Sequence, residues 1–251
     1  MTTEAMILAA GRGERLRPLT DHTPKPLLSV AGRPLIVHHL ERLARVGYQR
    51  VVINVAHLGA QIEKALGDGS AWGLEIIYSR EPEALETAGG IVQALPLFQE
   101  DRFAVINGDI WCEHPLTPPP LLAGSAVNES PALLGEATLA HLVMVPNPPH
   151  HPQGDFALKD GVLKAQGTRQ FTFAGIGWYH KALFAGCRPG RLALAPLLRA
   201  AMQRNQVSGE LFTGTWVDVG TPERLQWVRE HLGDAPKTPD ANSVGFSGQD
   251  Q

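Results

Sequence analysis

The chain has 251 residues, of which 43% are apolar, so it is long enough to bury one large core or two small ones. Its formal net charge of −3 excludes the strong basic field that is typical of nucleic-acid-binding proteins. Two cysteines, Cys112 and Cys187, are too few for a disulfide framework and favour a reducing compartment. The N-terminal apolar stretch AMILAA is too short for a signal sequence or a membrane span. We therefore expect a cytoplasmic protein with no nucleic-acid or membrane partner.

Apolar runs alternate with helical patterns through the first half of the chain. The segment 34–47, for example, has Ile36, Leu40 and Leu43 on one helical face and ends at Gly47. This β-α-β alternation predicts an α/β fold, with a mixed but mostly parallel central sheet and helices on both faces. The predicted strands span residues 5–10, 51–56, 74–79 and 103–108, and the predicted helices span 34–47, 58–67 and 88–95.

The second half of the chain is less regular. The segment 117–136 is rich in Pro, Gly and Ser and is predicted to be a loop. No linker divides the chain, so we expect one domain over residues 1–233, followed by a polar, disordered tail over 234–251. The further predicted elements are strands at 141–145 and 171–179 and helices at 195–205 and 221–232.

The stretch ILAAGRGERLRPLT (residues 7–20) places a glycine turn and three arginines directly after the first predicted strand. Gly11 and Gly13 let backbone N–H groups approach an anion closely, and arginine binds phosphate oxygens through two N–H groups. A dinucleotide-binding fingerprint is excluded because Leu16 stands where its third glycine is needed. A Walker A loop is excluded because no Gly-Lys-Ser/Thr sequence follows.

Lys25 follows this turn between two prolines, in TPKPLL (residues 23–28). The prolines restrict the backbone on both sides and favour a fixed position for the ammonium group. A solvated loop with surface arginines is the alternative to a phosphate site. The strand, the glycines, Arg15 and the flanked lysine together favour the phosphate site.

The sequence resembles the family of sugar-1-phosphate nucleotidyltransferases through LAAGRGERLRPLT, PKPLL, NGD (107–109) and WVDVGTPERL (216–225). The resemblance covers residues 5–232 and implies a single Rossmann-like nucleotidyltransferase domain. It also implies that the turn and the lysine bind the nucleotide, through Ala10, Gly11, Arg12, Gly13 and Lys25.

Two aspartates are the candidate metal ligands. Asp109 directly follows a predicted strand, so it is expected at the carboxyl edge of the sheet, where α/β proteins bind ligands. Asp218 ends a short apolar run, and each aspartate alone is as compatible with a turn or a cap. The resemblance assigns both to a Mg²⁺ site, a suitable role because Mg²⁺ prefers oxygen ligands and phosphates. It also implies that Arg15 and Lys25 complete the catalytic set by contacting the triphosphate and the departing pyrophosphate.

The segment SREPEALETAGG (79–90) corresponds to the part of the family that reads the nucleobase. Its candidate nucleotide-binding residues are Glu81, Glu86 and Thr87, and the Glu81 carboxylate is able to accept the N3–H of uracil or thymine. The alternative interpretation is that Glu81 and Glu86 are both surface charges. Many guanylyltransferases of the family have glycine in place of Glu86, which favours UTP as the nucleotide.

For the sugar, the resemblance points to the loop PNPPHHPQGDF (146–156) and the strand TFAGIG. The candidate substrate-binding residues are Asn107, Gly154, Asp155 and Ala174. The adjacent pair His150 and His151 is interpreted as loop histidines, because no further metal ligand at a suitable spacing is near.

The short length, the LETAGG loop, NPPHHPQGDF and WVDVGT are similar to the N-acetylmuramate-1-phosphate uridylyltransferases of bacterial cell-wall recycling. This similarity implies Mg²⁺-dependent transfer of UMP from UTP to a sugar 1-phosphate. The alternatives are a mannose-1-phosphate guanylyltransferase, a glucose-1-phosphate thymidylyl- or uridylyltransferase, or a non-catalytic nucleotide-sugar sensor. The assembly is expected to be a monomer or a small homo-oligomer.

Overall fold

The computed structural model describes residues 3–119 and 138–231. The strands of these residues are β1 (Glu4–Leu8), β2 (Ser29–Val30), β3 (Arg33–Pro34), β4 (Arg50–Val55), β5 (Glu75–Arg80), β6 (Arg102–Asn107), β7 (Ile110–Cys112), β8 (Ala140–Val145), β9 (Phe156–Lys159), β10 (Val162–Lys164), β11 (Gln170–His180), β12 (Val207–Leu211) and β13 (Trp216–Asp218). The α-helices of the same residues are α1 (Leu35–Arg45), α2 (Gly59–Leu66), α3 (Glu86–Ala94), α4 (Leu194–Gln203) and α5 (Pro222–His231).

Nine of the strands in the described part of the chain form one mixed sheet, in the order β5-β4-β1-β6-β11-β8-β12-β10-β9. The strands from β5 to β6 are parallel, and β11 runs antiparallel to both of its neighbours, β6 and β8. This arrangement confirms the predicted mixed, mostly parallel sheet. It also brings the carboxyl ends of β1, β4 and β6 to one edge, where the predicted glycine turn and Asp109 both begin.

Helices cover both faces of the sheet, as predicted. Along β1, Ala5 and Ile7 enter a core with α1 and α2, whereas Met6 enters a second core with α3 and α4. Successive strand residues point to opposite faces, so an uninterrupted apolar run such as β1 is what a strand buried on both faces requires.

A third, smaller apolar cluster lies outside the main sheet and holds the polar loops together. Leu16, which follows the glycine turn, packs there with Trp111 of β7, Val219 after β13, and Leu225 and Val228 of α5. This cluster fixes the N-terminal loop against the segment that carries Asp218, although these segments are far apart in the chain.

The predicted helices and strands are present in the described residues, with ends that shift by at most three residues. Several short strands were not predicted, including β7, β12 and β13, because three to five residues give too little periodicity to recognise. Residues 117–119 have no regular structure, and the rest of the predicted loop at 117–136 lies outside the described residues, as does the predicted tail. The domain boundary at residue 233 stays a prediction. No helix of the described residues is long and apolar enough to cross a membrane.

Candidate active site

The glycine turn (residues 9–13) leaves β1 at the carboxyl edge of the sheet. Gly13 has φ +71°, a backbone conformation that favours glycine, and its carbonyl accepts a hydrogen bond from Thr20 Oγ1 at 2.9 Å. A Cβ on Gly13 would lie 3.0 Å from Thr20 Cγ2, whereas one on Gly11 would meet no described atom within 4 Å. The turn is therefore packed closely at Gly13 and open at Gly11.

Lys25 and Asp109 form an ion pair beside this turn. Lys25 Nζ lies 2.6 Å from Asp109 Oδ2, and the lysine is 7% exposed. The Lys25 Cβ is 3.3 Å from the position that a Cβ on Gly13 would take. Asp109 keeps 40% of its side chain exposed, so the carboxylate stays accessible from the open side. The lysine thus links the glycine turn to the carboxylate after β6.

Asp218 lies next to Asp109 because β13 pairs with β7. The pairing is antiparallel and sets Asp218 opposite Ile110, and the Val219 N–H donates to the Asp109 carbonyl at 2.8 Å. The side chain of Asp218 has two basic neighbours. His150 Nε2 lies 3.2 Å from Oδ2, and Arg224 Nη2 lies 2.9 Å from Oδ1.

The contact between Asp218 and Arg224 is an ion pair by distance but lacks hydrogen-bond geometry. Asp218 Oδ1 is buried and has no hydrogen-bond partner among the described residues. A buried carboxylate oxygen without a hydrogen-bond donor is costly, so this atom is suited to a cation or another ligand.

Gly220 brings Arg15 into the same group of charges. A Cβ at this position would lie 2.5 Å from Asp218 Oδ1 and 2.9 Å from Arg15 Nη2, and it would overlap Arg224 Nη2. No side chain fits there without displacing these groups, which explains the glycine in DVGTP. The charges of Arg15 and Asp218 therefore converge over Gly220.

A cavity of about 340 Å³ lies at the carboxyl edge of the sheet, and Gly220 is part of its wall. Asp218 and Arg224 are not among its lining residues, so they approach it from behind Gly220. Its walls combine the glycine turn, the end of β6 and the segment 81–87, called here the 81–87 loop, which continues into the first turn of α3. The predicted site residues that line it are Ala10, Gly11, Gly13, Arg15, Lys25, Glu81, Glu86, Thr87, Asn107 and Asp109.

In the 81–87 loop, Glu81 is held by internal hydrogen bonds. Its side chain is buried, Oε1 accepts from Asn54 Nδ2 at 2.7 Å, and Oε2 accepts from the Leu85 N–H at 3.0 Å. The alternative that Glu81 is a surface charge is therefore wrong. Sequence reasoning missed Asn54, which lies in a plain strand pattern and carries no motif that marks it.

Glu86 opens α3 with φ +62°, the left-handed region that L-residues with a side chain rarely adopt. Its Oε1 lies 3.4 Å from Arg191 Nη2, and this ion pair is exposed. Thr87 follows in the first turn of the helix. A positive φ favours glycine, the residue expected at this position in many guanylyltransferases of the family.

On the side of the 146–155 loop, Asn107 is the predicted residue that lines the cavity. A β-bulge in β11 brings Gly175, with φ +75°, against it, since a Cβ there would lie 2.5 Å from Asn107 Nδ2. Gly154, Asp155 and Ala174 are not among the cavity-lining residues.

Gly154 and Asp155 instead hold the 146–155 loop against β11, and Ala174 links β11 to β13. Asp155 Oδ2 accepts the Phe173 N–H at 2.8 Å, and the carbonyl of the fully buried Ala174 accepts Trp216 Nε1 at 2.8 Å. A Cβ on Gly154 would lie 2.9 Å from the Phe171 carbonyl oxygen.

The structure departs from the predictions at Arg12 and His150. Arg12 turns outward and pairs with Glu14 at 3.1 Å, and it does not line the cavity. His151 contacts Asp155 at 3.2 Å, as a loop histidine would, but His150 contacts the candidate metal ligand Asp218. The interpretation of His150 as a plain loop residue is therefore incomplete, because a contact between positions 150 and 218 leaves no local signal in the sequence.

A hard divalent cation fits the carboxylates. Within residues 3–119 and 138–231, no group of three or more His, Cys, Asp or Glu side chains is arranged to hold a metal ion. Asp109 and Asp218 supply two oxygen donors, and Mg²⁺ characteristically takes one or two carboxylates and completes its shell with phosphates and water. Oδ1 of Asp218, which is near Arg224 but has no hydrogen-bond partner among the described residues, provides one such donor atom.

Comparison with known sequences decides the family. The sequence model of the nucleotidyl transferase family matches residues 4–128. The N-acetylmuramate alpha-1-phosphate uridylyltransferase of Neisseria meningitidis serogroup B is 52% identical over 89% of this chain and 95% of its own. The protein of the same name from Caulobacter vibrioides is 32% identical over 92% of this chain and 97% of its own length. The chain belongs to the nucleotidyl transferase family. This confirms the expected family and enzyme class, and members of the family generally use a divalent metal.

Solved structures of other proteins have the same fold as this chain. A Bacillus anthracis protein, provisionally assigned as a glucose-1-phosphate thymidylyltransferase, has a TM-score of 0.77 at 21% identity, covering 92% of this chain and 95% of that one. The inositol-1-phosphate CTP transferase from T. maritima has a TM-score of 0.69 at 19% identity, covering 93% and 97%. The Rossmann-like nucleotidyltransferase fold is thereby confirmed.

Proposed function

We propose that this enzyme transfers UMP from UTP to N-acetylmuramic acid α-1-phosphate, giving UDP-N-acetylmuramic acid and pyrophosphate. The observation that carries the proposal is the 52% identity, over nearly the whole chain, with a relative named for this reaction. A place in cell-wall recycling in the cytoplasm is consistent with these substrates. UTP and the sugar 1-phosphate are the proposed partners, and we propose a monomer or a small homo-oligomer.

The site is suited to bringing two anions together. The attacking oxygen of a sugar phosphate is already negatively charged at neutral pH, so no general base is required to activate it. The obstacle is repulsion between this oxygen and the triphosphate, together with the charge that builds up on the departing pyrophosphate. Arg15 and Lys25 would neutralise that charge, and the backbone of the glycine turn would bind the phosphates.

Asp109 and Asp218 are proposed to hold Mg²⁺. The bound ion would supply positive charge to the triphosphate and help to orient it for in-line displacement. Lys25 would fix Asp109 through its ion pair, and the closeness of Arg15, Asp218 and Gly220 would place the remaining charges around the same phosphates.

The 81–87 loop is the proposed nucleobase site. Glu81 has one hydrogen bond on each carboxylate oxygen, which leaves acceptor capacity for a uracil N3–H. Glu86 and Thr87 line the same wall of the cavity. In this proposal Asn107 contacts the sugar directly, whereas Gly154, Asp155 and Ala174 shape the loop and strand beside it.

The alternatives have less support. A mannose-1-phosphate guanylyltransferase from Mycobacterium tuberculosis is 42% identical, but over 43% of this chain and 30% of its own. A non-catalytic sensor would not need Arg15, Lys25, Asp109 and Asp218 together, and the structure gathers their segments at one edge.

An assay of the purified enzyme with a panel of triphosphates and sugar phosphates tests the proposal. Pyrophosphate release should show the highest kcat/KM with UTP and N-acetylmuramic acid α-1-phosphate. Faster turnover with GTP and mannose 1-phosphate, or with dTTP and glucose 1-phosphate, would refute it.

A further inference from the structure

Asn54 connects two parts of the cavity wall that the sequence treats separately. It lies near the end of β4, paired in register with Leu8 of β1, and is 3% exposed. Its Oδ1 accepts the Ala9 N–H at 2.8 Å, and its Nδ2 donates to Glu81 Oε1 at 2.7 Å. One side chain therefore bonds to the glycine turn and to the 81–87 loop.

The connection continues into the backbone of the loop. Glu81 Oε2 accepts the Leu85 N–H at 3.0 Å, and Leu85 directly precedes Glu86 and Thr87 on the cavity wall. A Cβ on Gly90 would lie 2.7 Å from Glu81 Oε1 and 2.8 Å from Asn54 Nδ2, so this glycine leaves room for the pair. The path from Ala9 through Asn54 and Glu81 to Leu85 is continuous and buried.

We propose that Asn54 is a positioning residue that sets the spacing between the phosphate-binding turn and the nucleobase loop, so that one nucleotide engages both. The assignment of these two segments rests on the proposed function. Asparagine suits the position because it presents one acceptor and one donor on a short side chain. An aspartate would set a second carboxylate against Glu81, and an alanine would leave the buried Ala9 N–H without a partner.

An exchange of the two side chains tests the proposal. In Asn54→Asp, two carboxylates face each other. In Glu81→Gln, the new amide is unable to accept from both Asn54 and the Leu85 N–H with good geometry. The double variant restores every hydrogen bond, because Asp at 54 accepts from Ala9 and from the amide at 81, whose oxygen accepts from Leu85. Each single variant should weaken UTP binding by about 10- to 100-fold.

The double variant should bind UTP at least fivefold more tightly than Asn54→Asp and than Glu81→Gln, measured by titration calorimetry with Mg²⁺. In the two single variants and in the double variant, the KM for the sugar 1-phosphate should change by less than twofold. A general loss of structure would instead change the KM for both substrates. Ser79→Ala is the matched control, since Ser79 is buried beside Asn54 on β5 and outside the network, and this variant should bind UTP like the wild type.

Double and single variants with equal affinity for UTP, or an Asn54→Asp variant that binds like the wild type, would overturn the proposal. If Asn54→Asp does not fold, the double variant must still bind more tightly than Glu81→Gln. Wild-type affinities for UTP, CTP, GTP and dTTP are measured first. Preference for a nucleotide other than UTP refutes the proposed specificity for UTP but does not bear on the role of Asn54. The affinities of the Asn54 and Glu81 variants are then measured with the preferred nucleotide.

Discussion

On one side of the cavity, the glycine turn, Lys25 and the 81–87 loop each belong to a short motif that is local in the sequence, and Asn54 joins the turn to the loop by two hydrogen bonds. On the other side, the 146–155 loop and β11 are placed by contacts with distant segments, such as His150 with Asp218 and Ala174 with Trp216. Among the described residues, Asn107 is the predicted sugar-binding residue that lines the cavity. The proposed nucleotide side is thus built from short motifs, and the proposed sugar side from tertiary packing. In the proposed function, the motifs on the nucleotide side can therefore be retained while the packing around the sugar varies.

The largest effect is expected for Asp109→Ala, which removes a proposed metal ligand and leaves the buried Lys25 unpaired. We expect kcat for pyrophosphate release to fall by about 1,000-fold, a loss of about 4 kcal/mol of transition-state stabilisation. Asp101→Ala is the control, because Asp101 is exposed at the opposite end of β6. Normal turnover by a folded Asp109→Ala protein would remove the metal assignment.

Gly220→Ala should have the next largest effect on activity, with little effect on folding. The atoms that its Cβ would meet are the ends of flexible side chains, Arg15, Asp218 and Arg224, so they can move aside. Their displacement should lower kcat/KM by about 10- to 100-fold, because a shift of about 1 Å in charged groups is costly to catalysis. Gly214→Ala, whose Cβ would meet the ring of Phe212 first, should keep its activity. Loss of activity in both variants would contradict this account.

Asp155→Asn tests whether the 146–155 loop serves the sugar. The substitution removes a charge while the side-chain oxygen can still accept the Phe173 N–H. We expect the KM for the sugar 1-phosphate to rise by about three- to tenfold, while the KM for UTP stays within twofold. A rise in the KM for UTP alone would show that the division between the two sides is wrong.

The smallest effect should come from Glu210, which lies on β12 outside the cavity lining. A hydrogen bond from His114 Nε2 at 3.1 Å, together with His141 Nε2 at 3.7 Å, lowers the pKa of Glu210 to about 2. Since this pKa is below the unfolded value of about 4.5, the stabilisation is present above pH 4.5 and is lost as the pH falls towards 2. Glu210 is half exposed, so solvent screening limits its contribution to about 1 kcal/mol.

In urea titrations, the free energy of unfolding of Glu210→Gln should be lower than that of the wild type at pH 7. The difference should shrink as the pH falls to 3, and kcat should be unchanged at pH 7. A difference that is independent of pH would contradict the assigned contacts of Glu210 with the two histidines.

Much of this molecule could be predicted from its sequence where the signal is local. The apolar run of β1, the face of α1 and the glycine at 13 each reflect a physical requirement within a few residues. What the sequence did not indicate depends on distant contacts. The pairing of β7 with β13, the contact between His150 and Asp218, and the bonds of Asn54 join segments whose proximity exists only after folding.

The predicted sugar residues illustrate the same limit. Gly154, Asp155 and Ala174 lie in segments that border the site, but a sequence pattern does not tell which way a side chain faces across a bulged strand. The short strand β12 was missed because its five residues include a glycine and carry little periodicity.

The central claim is that Arg15, Lys25, Asp109 and Asp218 act on one triphosphate. A crystal structure of the enzyme with Mg²⁺ and UTP tests it most directly. We predict one Mg²⁺ within about 2.1 Å of oxygen atoms from both aspartates and from a phosphate, with Arg15 and Lys25 on the same triphosphate. A metal ion bound away from Asp109 or Asp218, or a triphosphate bound away from the glycine turn, would contradict the claim.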